Sequence, residues 1–267
     1  ICHFSYGGWF HAITSGLPHN NAELRISQFR LADTPSRALA MARRFVHGKI
    51  KNCRTMLRRH LAAEERSEID ALARLARRAF RTEDRTTLLG VEGMAARLYF
   101  AGFSRIMKPD LPFDFTHRNR RPPRDPVNAL LSYLYAVLVK EAVLALLAVG
   151  FDPMVGFYHQ PRYGRPSLAL DIAEEFRPLL VDSVVLTLLN HAEIQAKDFV
   201  CRAGAAALTP TGRKAVLGAF ERRMETLVTH PLFGYRVSYR RVLAIQARLL
   251  ARAVLGELDH YPSFCTR

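Results

Sequence analysis

Acidic residues are in short supply in this chain of 267 residues: 24 Asp+Glu stand against 39 Lys+Arg, with Arg far outnumbering Lys, and the net charge is +15. That imbalance favours a polyanionic partner, because each phosphate neutralised on binding releases condensed counterions. An anionic membrane surface is the rival partner for a basic protein, but the planar fork of arginine suits phosphate better. Cysteines are few and scattered. Cys2, Cys53, Cys201 and Cys265 form no CxxC pair, which argues against a zinc module and a disulfide framework and suits a reducing cytoplasm. No internal repeat, low-complexity tract or signal peptide is visible. The most apolar stretch, Val127 to Val149, is long enough to span a bilayer but carries Lys140 and Glu141 at its centre. A spanning helix rarely tolerates that, so the stretch reads as a buried core helix, with no membrane as partner. The first residue is Ile1 rather than Met, which suits a fragment of a longer chain.

What is present is mostly helical periodicity. Residues Ile1 to Pro18 are aromatic and glycine-rich and end in Ser15-Gly16-Leu17-Pro18, which predicts one or two strands and a break. Asp33-Thr34-Pro35 opens a helix toward His60 with an Arg/Lys-rich face (Arg43, Arg44, Lys49, Lys51, Arg54, Arg58, Arg59). Further helices are expected at Glu64 to Phe80, from Glu83 onward, from Pro126 to Gly150, and at Ser167 to Asn190, Thr211 to Thr229 and Ser238 to Leu258. Prolines make Lys108 to Pro126 a loop. Phe151 to Pro166 is a second one, and the tail from Asp259 is irregular. The fold class is mainly α: a large helical domain over residues 21–267, preceded at 1–20 by a remnant of β structure and a linker.

Three places carry side chains suited to chemistry. Glu92 lies in Gly90-Val91-Glu92-Gly93-Met94, on a helix whose small residues would let another chain approach closely. His159 follows Gly156-Phe157-Tyr158 in the second loop. Asp171, Glu174 and Glu175 are spaced i, i+3 and i+4 and share a helical face. A carboxylate, an imidazole and a second carboxylate can hold one divalent cation with positions open, Mg²⁺ or Mn²⁺ by donor type. Such a metal would polarise a phosphodiester and activate an attacking hydroxyl. A lone helical Glu is more often a salt-bridged residue, and a lone loop His a hydrogen-bonded one, so spacing alone leaves the chemistry open.

Longer strings narrow the choice. Arg120-Arg121-Pro122-Pro123-x-Asp125-Pro126-x-Asn128-Ala129-Leu130-Leu131-Ser132, Gly150-Phe151-Asp152-Pro153-x-x-Gly156-Phe157-x-His159, and Ser167-Leu168-Ala169-Leu170-Asp171-Ile172-Ala173-Glu174-Glu175-Phe176-Arg177-Pro178 occur in that order after Gly90-Val91-Glu92-Gly93. Together with Lys49-Ile50-Lys51-Asn52 and the segment Gln246 to Leu255 they resemble CRISPR-associated protein 1, the spacer-acquisition integrase of prokaryotes, over essentially the whole chain. The resemblance implies a metal site at Glu92, His159 and Glu174, with Asp171 assisting from behind or capping its helix, and Glu175 structural. It also implies a homodimer, two such dimers bridged by CRISPR-associated protein 2, help from a separate or fused CRISPR-associated protein 4 nuclease, and a cytoplasmic location.

Around that site Arg118, Arg120 and Arg121 are candidates to clamp a DNA backbone, and Arg162 and Arg165 to neutralise the scissile phosphate. Arg177 does the same or pairs with Glu174 or Asp171 one turn back. Arg236, Arg240 and Arg241, interleaved with Tyr235 and Tyr239, read as a DNA-contacting face with tyrosines to stack on bases. Tyr99 and Tyr158 are expected in the core, Tyr158 being the better candidate for a role at the site. The implied reaction is attack by the 3′-hydroxyl of a captured DNA fragment on a repeat-array phosphodiester. Two rivals stand beside it: a structure-specific endonuclease with water as nucleophile, and a non-catalytic basic scaffold that wraps DNA.

Overall fold

Side-chain caps start most of the helices. The computed structural model describes residues 1–14, 20–61 and 66–266; the Ser15-Gly16-Leu17-Pro18 break and the expected helix start at Glu64 lie outside them. Strands β1 (Cys2–Phe4) and β2 (Phe10–Ile13) form an antiparallel hairpin. Asn21 then accepts the Leu24 amide to open α1 (Ala22–Asp33), a helix not singled out in the sequence. Pro35 begins α2 (Pro35–His60) at a position where its missing N–H costs nothing. α3 (Arg66–Phe80) follows, and Asp84 caps α4 (Arg85–Arg105). Asp125 caps α5 (Pro126–Leu147) in the same way.

The helix expected at 167–190 is not uniform. α6 (Ser167–Phe176) widens into a π-helical turn (Arg177–Asp182) before α7 (Ser183–Asn190). Pro178 has no N–H to give the Glu174 carbonyl, and the widened turn accommodates its ring. Two further hairpins were not foreseen: β3 (Phe199–Arg202) with β4 (Ala205–Leu208), and β5 (Leu227–Thr229) with β6 (Arg236–Ser238). They flank α8 (Pro210–Glu225), so the helix expected to reach Thr229 ends at Glu225. Strands of three or four residues carry almost no period-two signal. Ser238 caps the last helix, α9 (Tyr239–Val254).

α2 and α6 form the spine. Val46 and Ile50 of α2 and Ala173 and Phe176 of α6 enter one apolar cluster with Leu131, Val185 and Phe220. Met41, Phe45, Leu168 and Ile172 of the same helices enter a second with Leu24, Phe157 and Tyr261. A fully buried side chain such as Phe45 contributes about 1.5–3 kcal/mol. The irregular tail is stitched across the back of this spine. Asn52 donates to the carbonyls of Glu175 (2.8 Å) and Phe264 (2.7 Å), Glu175 accepts the Phe264 amide (2.8 Å), and the rings of Phe176 and Phe264 stack.

α5 is long and apolar enough to cross a membrane by length and composition, yet of its residues only Ala136 and Leu144 are exposed. Its two charges are engaged within the chain. Lys140 donates to the Gly8 carbonyl (3.0 Å) over the Phe4 ring, and Glu141 pairs with Arg240 (3.1 Å).

Candidate active site

α2, α4, α6 and the loop between α5 and α6 converge on an open cleft of about 770 Å³. Lys49, Glu92, Tyr158, His159 and Glu174 line it, with Arg118, Arg120, Arg121, Arg162, Arg165 and Arg177. Residues 82 positions apart in sequence, Glu92 and Glu174, thus meet on one floor with the histidine between them in chain order.

Asp171 builds the histidine's position. Its Oδ2 accepts the backbone amides of Phe157 (2.7 Å) and Tyr158 (2.9 Å), and its Oδ1 accepts the His159 amide (2.8 Å) and the His159 ring Nδ1 (2.7 Å). The carboxylate thus fixes the ring's orientation from the Nδ1 side, and Nε2 faces the cleft. That nitrogen lies 3.8 Å from Glu174 Oε1. The turn closes so tightly that a Cβ on Gly156 would come within 2.7 Å of the Ser167 carbonyl carbon and 2.9 Å of Asp171 Oδ2, so only glycine fits.

Glu174 is 3% exposed at its side chain. Burial pushes its carboxyl up, but Arg177, Lys49 and His159 together outweigh burial and hold it down at about 2. Arg177 Nη1 sits 2.9 Å from Glu174 Oε1, one turn away, and its guanidinium lies over the Tyr135 ring. Burial works against the charge of Arg177 as well, and Glu174, Tyr135, Glu92 and Asp182 together more than restore it. Burial, and then the charges of Glu92 and Glu174, keep the Tyr158 hydroxyl well above its ordinary range and therefore protonated. Glu175, by contrast, points away into the core, where Tyr261 and the Phe264 amide hold it.

Lys49 is the residue whose place the sequence did not give. Its ammonium pairs with Glu92 Oε1 and stands 2.7 Å from Glu174 Oε2. The sequence placed it on an Arg/Lys-rich face of α2, but that face does not exist as one surface. Arg43 donates to the Thr82 carbonyl, Arg44 lies over Phe80, Arg54 donates to the Ile69 carbonyl, and Lys49 turns into the cleft. The available signal was its neighbours: Val46 and Cys53, three residues before and four after, are buried.

Among the described residues no group of three or more His, Cys, Asp or Glu side chains is gathered closely enough to ligate a metal. The donor chemistry nevertheless fits a hard divalent ion. Glu92 and Glu174 meet at one cation, Lys49 Nζ, the His159 ring Nε2 lies 3.8 Å from the other Glu174 oxygen, and buried Glu174 Oε2 has no well-aligned hydrogen-bond donor.

The arginines divide. Arg120, Arg121 and Arg162 are exposed at the cleft and Arg165 half-buried beside it. Arg118 is held by Asn128 Oδ1 (2.6 Å) and Ser132 (2.9 Å), which pins the proline loop. Arg236, Arg240 and Arg241 do not line the cleft. Arg240 is engaged by Glu141, Glu221 and Glu225, and Tyr239 is buried against Phe264, so the expected face keeps only Tyr235, Arg236 and Arg241 exposed. Tyr99 is a core residue, as expected, donating to Asp182 (2.7 Å). Gly90 and Gly93 face open space, with no other part of the described chain close to them.

The chain belongs to the family of CRISPR associated protein Cas1, whose family model matches residues 1–222. It is 50% identical over 273 residues to a CRISPR-associated exonuclease Cas4/endonuclease Cas1 fusion of Geobacter sulfurreducens, covering 98% of this chain and 49% of that protein. A CRISPR-associated endonuclease Cas1 of Thermus thermophilus is 44% identical over 267 residues, covering all of this chain and 79% of that one. Among solved structures, a chain of a partial Cas6-RT-Cas1–Cas2 complex superposes with a TM-score of 0.80 at 28% identity, covering 96% of this chain and 77% of that one. The chain spans about half the length of the fusion relatives it matches.

Proposed function

We propose that this chain is the catalytic domain of a DNA integrase of CRISPR adaptation, joining the 3′-hydroxyl ends of captured fragments to a repeat array by direct transesterification. The observation that carries this reading is the meeting of Glu92, His159 and Glu174 on the floor of an arginine-lined cleft. In this reading those three residues hold Mg²⁺ or Mn²⁺, which when bound supplies Lewis-acid polarisation of the phosphodiester and lowers the pKa of the attacking hydroxyl. Asp171 fixes the tautomer and angle of His159 from behind. Arg177 keeps Glu174 ionised inside the protein. Arg120, Arg121, Arg162 and Arg165 grip the strands and offset the charge that develops on the phosphate.

The hairpin at residues 1–14 is, in this reading, the end of a β domain, and the functional unit is a homodimer that works with CRISPR-associated protein 2. Relatives fused to a Cas4 exonuclease support a nuclease partner that prepares the fragment ends. The name endonuclease carried by the relatives keeps hydrolysis as the second reading, since water and a DNA hydroxyl attack with the same geometry.

Strand transfer tests this. The protein is incubated with its bridging partner, a short duplex with free 3′-hydroxyls, a repeat-containing plasmid and Mn²⁺. Joined product that disappears in EDTA, in Glu92→Ala and in His159→Ala is the expected result. Nicking without joining would support hydrolysis, and tight binding with neither would leave only a scaffold.

A further inference from the structure

We propose that Lys49 is an internal counter-cation of the metal centre: its ammonium holds Glu92 and Glu174 together until a divalent ion displaces it. The inference rests on the metal reading above and assigns this residue a place in it.

The geometry divides the carboxylate oxygens between two sets of partners. Glu174 Oε1 turns to Arg177 (2.9 Å) and faces His159 Nε2 (3.8 Å). Glu174 Oε2 and Glu92 Oε1 both turn to Lys49 Nζ. The point where the two glutamates meet is therefore taken by the ammonium. An ion bridging those glutamates has to occupy the same space, and a divalent charge beside an ammonium would repel it. Arg177 does not stand in this position, because its Nη1 reaches the other oxygen and its face lies over Tyr135.

Lysine is suited to the task. Its charge is a compact point on a flexible stem of single bonds, whereas a guanidinium is a rigid plane. The stem leaves α2 from a helix face buried at Val46 and Cys53, so its root is fixed while its tip reaches an open cleft. The tip can swing into the cleft without disturbing the helix. An ammonium released there would meet the phosphate backbone that the same cleft is proposed to take. Without the ammonium, Glu174 would keep Arg177, but nothing would bridge it to Glu92, and the gap between the two carboxylates would open in the metal-free protein.

A purely structural ion pair makes the opposite forecast for metal binding. If Lys49 only props the site, removing it loosens the ligands and weakens the ion. If Lys49 competes for the position, removing it tightens the ion.

The test is Mn²⁺ titration, followed by the paramagnetic resonance of free Mn²⁺, on wild type, Lys49→Met, Lys49→Arg and Glu92→Ala, with melting curves in EDTA and in Mn²⁺. Lys49→Met is expected to bind Mn²⁺ about tenfold more tightly than wild type, the size of an ordinary coupling between two ligands. It should also melt lower in EDTA and gain more from Mn²⁺ than wild type does. Lys49→Arg should stay at or above the wild-type dissociation constant. Mn²⁺ bound by Lys49→Met no more tightly than by wild type overturns the proposal and leaves the metal site standing. No Mn²⁺ bound by wild type or Lys49→Met overturns both. A wild-type crystal soaked in Mn²⁺ gives a reading free of any folding defect in the variants. Metal density between Glu92 and Glu174, with Lys49 Nζ moved into the cleft, supports displacement; metal bound while Nζ stays paired to both glutamates overturns it.

Discussion

Both oxygens of Asp171 accept two hydrogen bonds each, three of them from consecutive backbone amides and one from a ring nitrogen. A buried carboxylate with that load fixes a loop as well as a histidine. Asp171→Ala strips four donors at once and is expected to lower the unfolding free energy by about 3 kcal/mol in urea titrations. The same change should weaken Mn²⁺ binding by roughly 10- to 100-fold, the usual effect of losing a partner of a ligating histidine. Unfolding within about 1 kcal/mol of wild type would contradict the account. Gly156→Ala, whose new methyl would press on backbone as well as on Asp171, should cost about 1–3 kcal/mol by the same titration. At this scale the sequence was legible through whole strings rather than single residues. Glu92, His159 and Glu174 are unremarkable one at a time and were placed by the family pattern around them. Lys49 was in view on a basic helix but was given no place at the site, because a helix's charges are assigned to a face only when its buried positions are known.

Elements reveal a different gap. Asp84, Asp125, Pro35 and Ser238 begin helices where their chemistry says helices should begin. The π-helical turn was less visible, although Pro178 inside a helical pattern was its signal. That turn brings Asp182 under the cleft, where the hydroxyls of Tyr99 (2.7 Å) and Tyr135 (2.6 Å) donate to it. Burial raises its carboxyl to about 6, with the two tyrosines pulling the other way. A carboxyl raised on folding stabilises the fold below the ordinary carboxylate range, and that contribution is lost as pH climbs toward about 6. Asp182→Asn has no such proton to lose. The stability of the variant relative to wild type should therefore rise between about pH 4 and pH 6, by on the order of 2–3 kcal/mol. Melting curves at a series of pH values would show it; parallel curves for the two proteins would refute it. The hairpins around α8 were illegible for want of length, although Gly204 and Gly234, at φ +73° and +75°, sit in their turns.

Over the whole molecule, the net charge of +15 announced a polyanion without saying where it would lie. The cleft collects part of that charge, and the rest is spent on packing. Arg240 illustrates the second use, held among Glu141, Glu221 and Glu225. This gives a contrast to measure in duplex binding against salt. Arg121→Ala and Arg162→Ala should each reduce the slope of log K on log[salt] by about 1, the signature of one lost phosphate contact. Arg240→Ala should leave that slope alone and lower thermal stability by about 1 kcal/mol, as the loss of a partly exposed ion-pair network does. A changed slope in Arg240→Ala would return that residue to the DNA surface.

The tail behind α6 bears on when the site comes into being. The Phe264 amide that binds Glu175 is made 89 residues after Glu175 itself, and Asn52 waits 212 residues for the Phe264 carbonyl. On the ribosome, then, Glu92, His159 and Glu174 have all emerged before the segment that braces their helix from behind. A nascent chain halted just short of Tyr261 would hold all three side chains and still lack the back wall that braces α6. The cleft gains its rear support only when synthesis has passed that wall.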